Sequence, residues 1–387
     1  MKKIFILLLT VMAAAGCREK YVPNINEPLT GYLVVDGYIN SGAGGTTITL
    51  TRTSKLSSTA IVKESKAIVR VEAKSGVAAT VLAEAGTTGV YSGFPVINAN
   101  DQYRLYIKTS AGKEYVSDYS VVRRTPAIDS ISWKQDDDGV RLYGNTHNPQ
   151  EPVGYYKWKY EETWEIHSPY TTRLKTVNNL QGAPDHFDYR NAAQQDDLSL
   201  FYCWKSDTLK RILVASSEKL SQNVISMSPL QFIENNSWKL DVRYSMNARL
   251  YNISKDNMKF LEQLKKNTEQ LGSIFDAQPS DNFGNIKCLS VPSEVVIGFI
   301  EVTEEKVRRI FIDRSEVKNW RFFMNECLSV DTVINHPPGK EIGPIGGKIP
   351  TQPSKYSPSG GIDCVFAANP VCVDCTIRGS NVKPSFW

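Results

Sequence analysis

Along residues 154–166, apolar and polar side chains alternate almost without fault: Tyr156, Trp158, Tyr160, Trp164 and Ile166 share one parity, while Lys157, Lys159, Glu161 and Glu165 share the other. A period of two belongs to an extended strand with one dry face and one wet face, and a helix cannot sort the same residues that way. This stretch therefore demands a sheet. The aromatic parity reads as the inward face of a β domain, with a sugar-stacking platform as the alternative.

Neighbouring strands are plentiful. Tyr32-Leu33-Val34-Val35-Asp36-Gly37-Tyr38-Ile39 and Thr46-Thr47-Ile48-Thr49-Leu50-Thr51-Arg52 flank a Gly-rich turn, and β-branched runs recur at residues 67–73, 80–82, 89–91, 103–108 and 113–117. About seven short strands in under about a hundred residues, with no helical period, is the arithmetic of an immunoglobulin-like β-sandwich over residues 31–125. Pro126 marks a boundary, because proline interrupts a strand ladder. A larger antiparallel β-rich domain is expected over 126–334. It opens with a hairpin turning at Asp136-Asp137-Asp138-Gly139, where Asp-Gly explains the turn better than a calcium loop does.

Within that domain, residues 167–198 are polar and turn-rich and read as a long loop, while residues 295–302 and 307–312 read as a hairpin around Glu304-Glu305. One helix is expected, at 255–271. Ser254 caps it, Asn257, Phe260, Leu261, Leu264, Thr268 and Leu271 follow a three-to-four spacing, and Gly272 stops it. Residues 335–387 read as a Pro/Gly loop and Cys-rich tail packed on the second domain. The chain is thus expected to be mainly β.

The N-terminus constrains the compartment. Met1-Lys2-Lys3 is followed by an apolar run and by Ala13-Ala14-Ala15-Gly16-Cys17, a small-residue cleavage site ending on a cysteine. The run is too short to span a bilayer, which takes about 20 apolar residues. A plain secretory signal needs no thiol after the cut, so residues 1–16 read as a lipoprotein signal peptide and Cys17 as the lipidated residue. Residues 17–30 would be a tether. Cleavage removes Lys2 and Lys3, leaving 43 basic against 41 acidic residues, so nothing points to nucleic acid.

Six cysteines remain: Cys203, Cys288, Cys327, Cys364, Cys372 and Cys375. An even number in an exported protein reads as up to three disulfides whose pairing the sequence leaves open. The crowded tail could also be drawn as a zinc site with Cys327 or His336, and Cys372-Val373-Asp374-Cys375 as a redox pair. An oxidising compartment argues against both.

Searches for chemistry come back thin. No His-Glu-x-x-His, Gly-x-Ser-x-Gly or phosphate-cradling loop occurs, and Ser110-Ala111-Gly112-Lys113 and Ser216-Ser217-Glu218-Lys219 lack companion motifs. His186 between Asp185 and Asp188 reads as a surface or packing histidine. No catalytic residue, metal or cofactor is assigned.

Gly31-Tyr32-Leu33-Val34-Val35-Asp36-Gly37, Tyr155-Tyr156-Lys157-Trp158, Glu162-Thr163-Trp164-Glu165 and Cys203-Trp204 resemble a family of outer-membrane lipoproteins known as domain of unknown function 4249. The resemblance continues through Phe275-Asp276-Ala277-Gln278-Pro279-Ser280, Gly284-Asn285-Ile286, Ile297-Gly298-Phe299, Cys372-Val373-Asp374-Cys375 and Lys383-Pro384-Ser385-Phe386-Trp387. Ala14 and Cys288 depart from the pattern.

The resemblance implies an anchored β-rich protein frequently encoded near a TonB-dependent transporter, with no established reaction. The expected role is a non-enzymatic accessory or ligand-binding subunit of that transporter, facing the cell surface or the periplasm. Its partners would be the membrane through Cys17, the transporter, and a small ligand or glycan. A structural or adhesive surface protein is the alternative, and a hydrolase a distant third. Contact is expected through the loops at 167–198 and 335–361.

Overall fold

A computed structural model describes residues 31–54, 60–180, 182–269, 283–334, 345–358 and 360–387. The signal peptide, Cys17, the tether, the expected helix end at Leu271-Gly272 and the motif at 275–280 lie outside the described residues. The protein is mainly β. Among the described residues no helix is long and apolar enough to cross a membrane.

The N-terminal strands form one closed hydrogen-bonded path rather than two separate sheets. Gln102–Lys108, Ile68–Ala73, Thr80–Glu84, Val90–Gly93, Thr46–Arg52, Leu33–Asn40, Val302–Thr303 and Ser120–Arg123 follow one another, and the last pairs back onto the first. Closure removes the open edges that would otherwise invite pairing with another chain. Inside, Leu33, Val35, Ile48, Leu50, Val69, Leu105 and Tyr115 are buried together.

The closing stave comes from far along the chain. Val302–Thr303 runs parallel to both Leu33–Asn40 and Ser120–Arg123, filling the gap between them. Just before it, Val296–Ile297 pairs with Leu33 and Val34, and Ile286–Cys288 pairs with Glu114–Ser117. Ile286, Val296, Ile300 and Val302 share the barrel's core. Residues 126–334 are therefore not one continuous domain, because the segment around 284–303 returns to the first. The expected hairpin around Glu304-Glu305 does not form either. Glu305–Asp313 leaves the barrel and pairs with Arg243–Asn252 in the second unit.

Two glycines make the return possible. Gly284 and Gly298 form a parallel bridge with φ of +118° and +152°, and a Cβ on Gly284 would lie 1.7 Å from the Gly298 carbonyl oxygen. Both conditions exclude side chains. Gly284→Ala is expected to lower stability by at least ~2 kcal/mol, combining left-handed strain with a backbone clash. Differential scanning calorimetry checks this, and an unchanged unfolding temperature would contradict it.

The second unit is a two-sheet sandwich. Ile128–Asp136, Gly139–His147 and Val224–Glu234 form one sheet; Tyr202–Thr208, Tyr155–His167, Arg243–Asn252 and Glu305–Asp313 form the other, with Leu213–Ser216 also paired to Tyr155–His167. Between them Trp158, Tyr160 and Trp164 meet Ile131, Leu142, Leu230 and Ile233. Tyr156, Trp158, Tyr160, Trp164 and Ile166 are all at most 4% exposed, so the aromatic parity is core and not a platform. The turn after Asp136 forms as expected, with Arg141 gripping the Asp136 and Asp138 carboxylates.

Residues 167–198 are not an open loop. They hold a hairpin, Leu174–Asn178 with Pro184–Tyr189, whose Leu174 and Phe187 pack against Val333, Val365 and Ala367. Those partners lie on a third sheet, Asp331–Ile334, Ile362–Ala368 and Ile349–Tyr356, so the C-terminal region contains strands as well as tail. Cys203–Cys375 and Cys327–Cys372 staple it. Cys288 and Cys364 are free thiols, one in the barrel and one on the third sheet, so the third disulfide is absent. With Cys372 and Cys375 bonded to different partners, neither the zinc site nor the redox pair survives.

Candidate functional site

The helix Lys255–Glu269 lies where the two units meet. The Ser254 hydroxyl accepts from the Asn257 amide, as expected of an N-cap. Phe260 and Leu261 are buried with Tyr251 and Ile253, against Tyr38, Ile297 and Phe299 from the barrel side. Glu301, on the returning segment, accepts from the Ser254 amide at 3.0 Å and the Asn257 side chain at 2.6 Å. A carboxylate at a helix N-terminus meets unpaired N–H groups and the positive end of the dipole, so this contact fastens helix to barrel.

Beneath the helix is a cavity of about 330 Å³. Its walls are residues 34–38 of the barrel, residues 157–159 of the sandwich, the connection around Arg211–Leu213, and the helix side chains Phe260, Leu261 and Leu264, with Phe299 beside them. A second, more polar cavity of about 480 Å³ shares Asp36, Tyr38, Lys159 and Tyr251 with the first. Together they form a cleft along the seam.

One end of the cleft is chemically saturated. The Tyr38 and Tyr251 hydroxyls both donate to Glu305, with the rings edge to face at 4.8 Å. Burial first, and the Glu305 carboxylate with it, push both phenols above their ordinary range, so they remain donors at neutral pH. Arg249 completes this cluster, 3.2 Å from Glu161 and 3.7 Å from Glu305.

The other end is not saturated. Lys157 lies between the buried aromatics Tyr156 and Trp158 in sequence and points to the opposite face, into the cleft. Among the described residues its ammonium makes no ion pair or hydrogen bond. Burial, then the charge of Lys159, push it down to about 8, with Asp36 and Glu301 pulling weakly the other way. Glu301 is already committed to the helix, and Arg123 stands 3.8 Å from it. An amine among protein atoms with no counter-charge in contact is costly, and it is the feature of the seam that no structural role absorbs.

That cost gives a sign. A folded pKa near 8 against an ordinary 10.5 means the unfolded chain holds its proton more tightly, so wild-type stability is reduced below about pH 8 and recovers as pH rises towards 10.5. Lys157→Met is expected to stabilise the protein by on the order of 2 kcal/mol near neutrality, with the gain vanishing near about pH 10. Urea unfolding at both pH values checks it. A variant equally or less stable at neutral pH would show that the lysine is already compensated.

The other residues singled out in the sequence do not converge on this seam. Among the described residues, His186 pairs with its neighbour Asp185 on the docked hairpin. Lys113 is engaged by Glu294, and the Ser216 hydroxyl accepts from the Glu218 amide in a turn. Lys157 and Lys159 fall on the parity expected to be solvated, and nothing in the alternation distinguishes water from a second domain across the gap.

The family model described as "Domain of unknown function (DUF4249)" matches residues 18–309. The chain belongs to that family. The match takes in the barrel, the returning segment, the helix and most of the sandwich, and so every wall of the cleft; it ends before the disulfide-stapled tail. Within the matched residues, Gly284-Asn285-Ile286 and Ile297-Gly298-Phe299 are the two sides of the glycine bridge, and Tyr155-Tyr156-Lys157-Trp158 carries the unpaired lysine. No curated protein matches the chain.

Proposed function

We propose that this protein is an outer-membrane lipoprotein, held by acyl chains on Cys17, that serves as a non-enzymatic ligand-binding accessory of a TonB-dependent transporter. The observation that carries the binding role is the cleft at the seam. Ligand sites gather at domain interfaces, in mostly apolar pockets of some hundreds of Å³ with a few convergent polar groups. This cleft has that size, an aromatic and aliphatic wall, and a free ammonium. The leader ending at Cys17 supports the anchor, and the lack of a catalytic motif in the sequence supports a role without chemistry.

Contact with the transporter would use the second unit. Its hairpin at 174–189 is docked on the third sheet through Leu174 and Phe187 and presents Leu180 fully exposed.

Affinity purification of the native, detergent-solubilised protein, followed by mass spectrometry, tests the reading. Stoichiometric recovery of a transporter barrel, weakened by Leu180→Asp and abolished when Cys17→Ala prevents anchoring, is the expected result. Recovery of the lipoprotein alone would overturn it in favour of a structural or adhesive surface role.

A further inference from the structure

Lys157 and Lys159 are two residues apart on one strand, so their side chains leave the same face about 7 Å apart. Among the described residues neither has a hydrogen-bond or ion-pair partner. Both line the seam cleft, Lys157 in the deeper cavity and Lys159 in both. The titratable groups that line the cavity with Lys157 are Lys159 on its own strand, Asp36 and Tyr38 on the barrel strand, Glu301 on the returning segment, and Lys210, Arg211 and Tyr251. Glu301 is spent on the helix N-terminus and Tyr251 on Glu305, while Arg211 reaches Gln231. The local balance is therefore cationic, with Asp36 the one acid among these groups left uncommitted.

The rest of the wall is of a different kind. Phe260, Leu261 and Leu264 from the helix pack with Phe299 from the returning segment, the Phe260 and Phe299 rings 5.8 Å apart, giving a continuous apolar wall in the cavity that Lys157 and Lys159 also line. An apolar wall beside two ammonium groups is complementary to a molecule with a hydrophobic body and a negative head.

We propose that the cleft binds a small amphipathic carboxylate, its acid group against Lys157 and Lys159 and its apolar body along the wall that the helix and Phe299 form together. This inference rests on the ligand-binding reading above and names the ligand's chemical class. A neutral amide of the same shape would lie along the same wall but leave the ammonium unpaired. Charge-assisted hydrogen bonds in a partly dry site are the strong ones, so the acid should be clearly preferred.

Isothermal titration of the full mature lipoprotein in a non-ionic detergent, with 3-phenylpropanoate and 3-phenylpropanamide as probes, tests this. The acid is expected to bind at least about tenfold tighter than the amide near neutral pH, and to lose that preference as pH rises past about 8 and Lys157 deprotonates. Lys157→Met should cut the preference to the small remainder that Lys159 alone supplies, while keeping weak amide binding. Lys157→Arg should keep the preference and remove its pH dependence, because a guanidinium does not titrate there.

Equal binding of acid and amide by the wild type, absence of binding by both, or an undiminished preference in Lys157→Met would each overturn the proposal. Urea unfolding of Lys157→Met, in which a midpoint at or above that of the wild type is expected, separates loss of preference from misfolding. Recovery of the transporter together with failure of the acid would sink the ligand class alone, leaving the accessory role standing.

Discussion

Replacing both Cys203 and Cys375 by alanine is expected to cost the sandwich unit about 4–5 kcal/mol. The bridge spans a sequence separation of 172, against 45 for Cys327–Cys372, and the unfolded-state entropy that a crosslink removes grows with the logarithm of the loop it closes. The longer bridge should therefore be worth roughly 1 kcal/mol more than the shorter. Both Cys203 and Cys375 are 0% exposed, so their loss also leaves a hole beside Ile166 and the core it belongs to. Beside the bridge, Trp204 and Ser380 exchange two backbone hydrogen bonds of 2.8 Å, which with the Cys327–Cys372 bridge and the Trp387 indole on Glu165 would have to hold the tail.

Tryptophan fluorescence during urea unfolding is a selective probe, because all seven tryptophans, from Trp133 to Trp387, lie outside the barrel strands and the returning segment. A loss below about 1 kcal/mol would mean that packing and not the crosslink secures the tail.

What was legible in the sequence was what is encoded locally. The hairpins at 33–52, 102–117 and 128–147 form with turns where glycine and aspartate place them, and the helix begins at its serine cap. Alternation told which side of 154–166 is dry, and the buried ladder follows. What was not legible depends on partners far away in the chain. Val302–Thr303 is two residues long and carries no sign that it belongs between strands nearly two hundred and more residues earlier. Its neighbour Gly298 did carry a clue, though only once Gly284 was seen opposite it.

The seam was hidden for a related reason. A period of two records the contrast between two faces and says nothing about what stands across from the polar one. Lys157 and Glu165 share that parity, yet Glu165 accepts from His167 and from the Trp387 indole, while Lys157 meets the barrel across a cavity. The six cysteines illustrate the same limit, since fifteen pairings fit the sequence and which thiols lie side by side is decided by the three-dimensional path alone.

Glu162→Ala is the second large effect expected, a loss of about 3–5 kcal/mol. Glu162 stands on the aromatic parity of its strand and is 3% exposed between the two sheets. It accepts from the Tyr244 hydroxyl at 2.9 Å, from the Gln231 side chain at 3.2 Å and from the Lys239 ammonium, which also lies over the Trp164 ring. These donors come from the adjacent strand, the opposite sheet and the short helical turn that follows it, so one carboxylate ties three elements. Burial first, and Glu162 next, hold the Tyr244 phenol well above its ordinary range, which keeps it a donor.

Truncation leaves that buried hydroxyl and the Gln231 amide without their acceptor, and strands a charge in Lys239 that is only partly exposed. Glu162→Gln preserves shape and one acceptor, and should cost less than half as much. The same fluorescence-detected unfolding measures both, and Glu162→Gln as damaging as Glu162→Ala would place the energy in the charge itself, whereas two near-neutral variants would show that the sandwich is held by its apolar ladder without this tie.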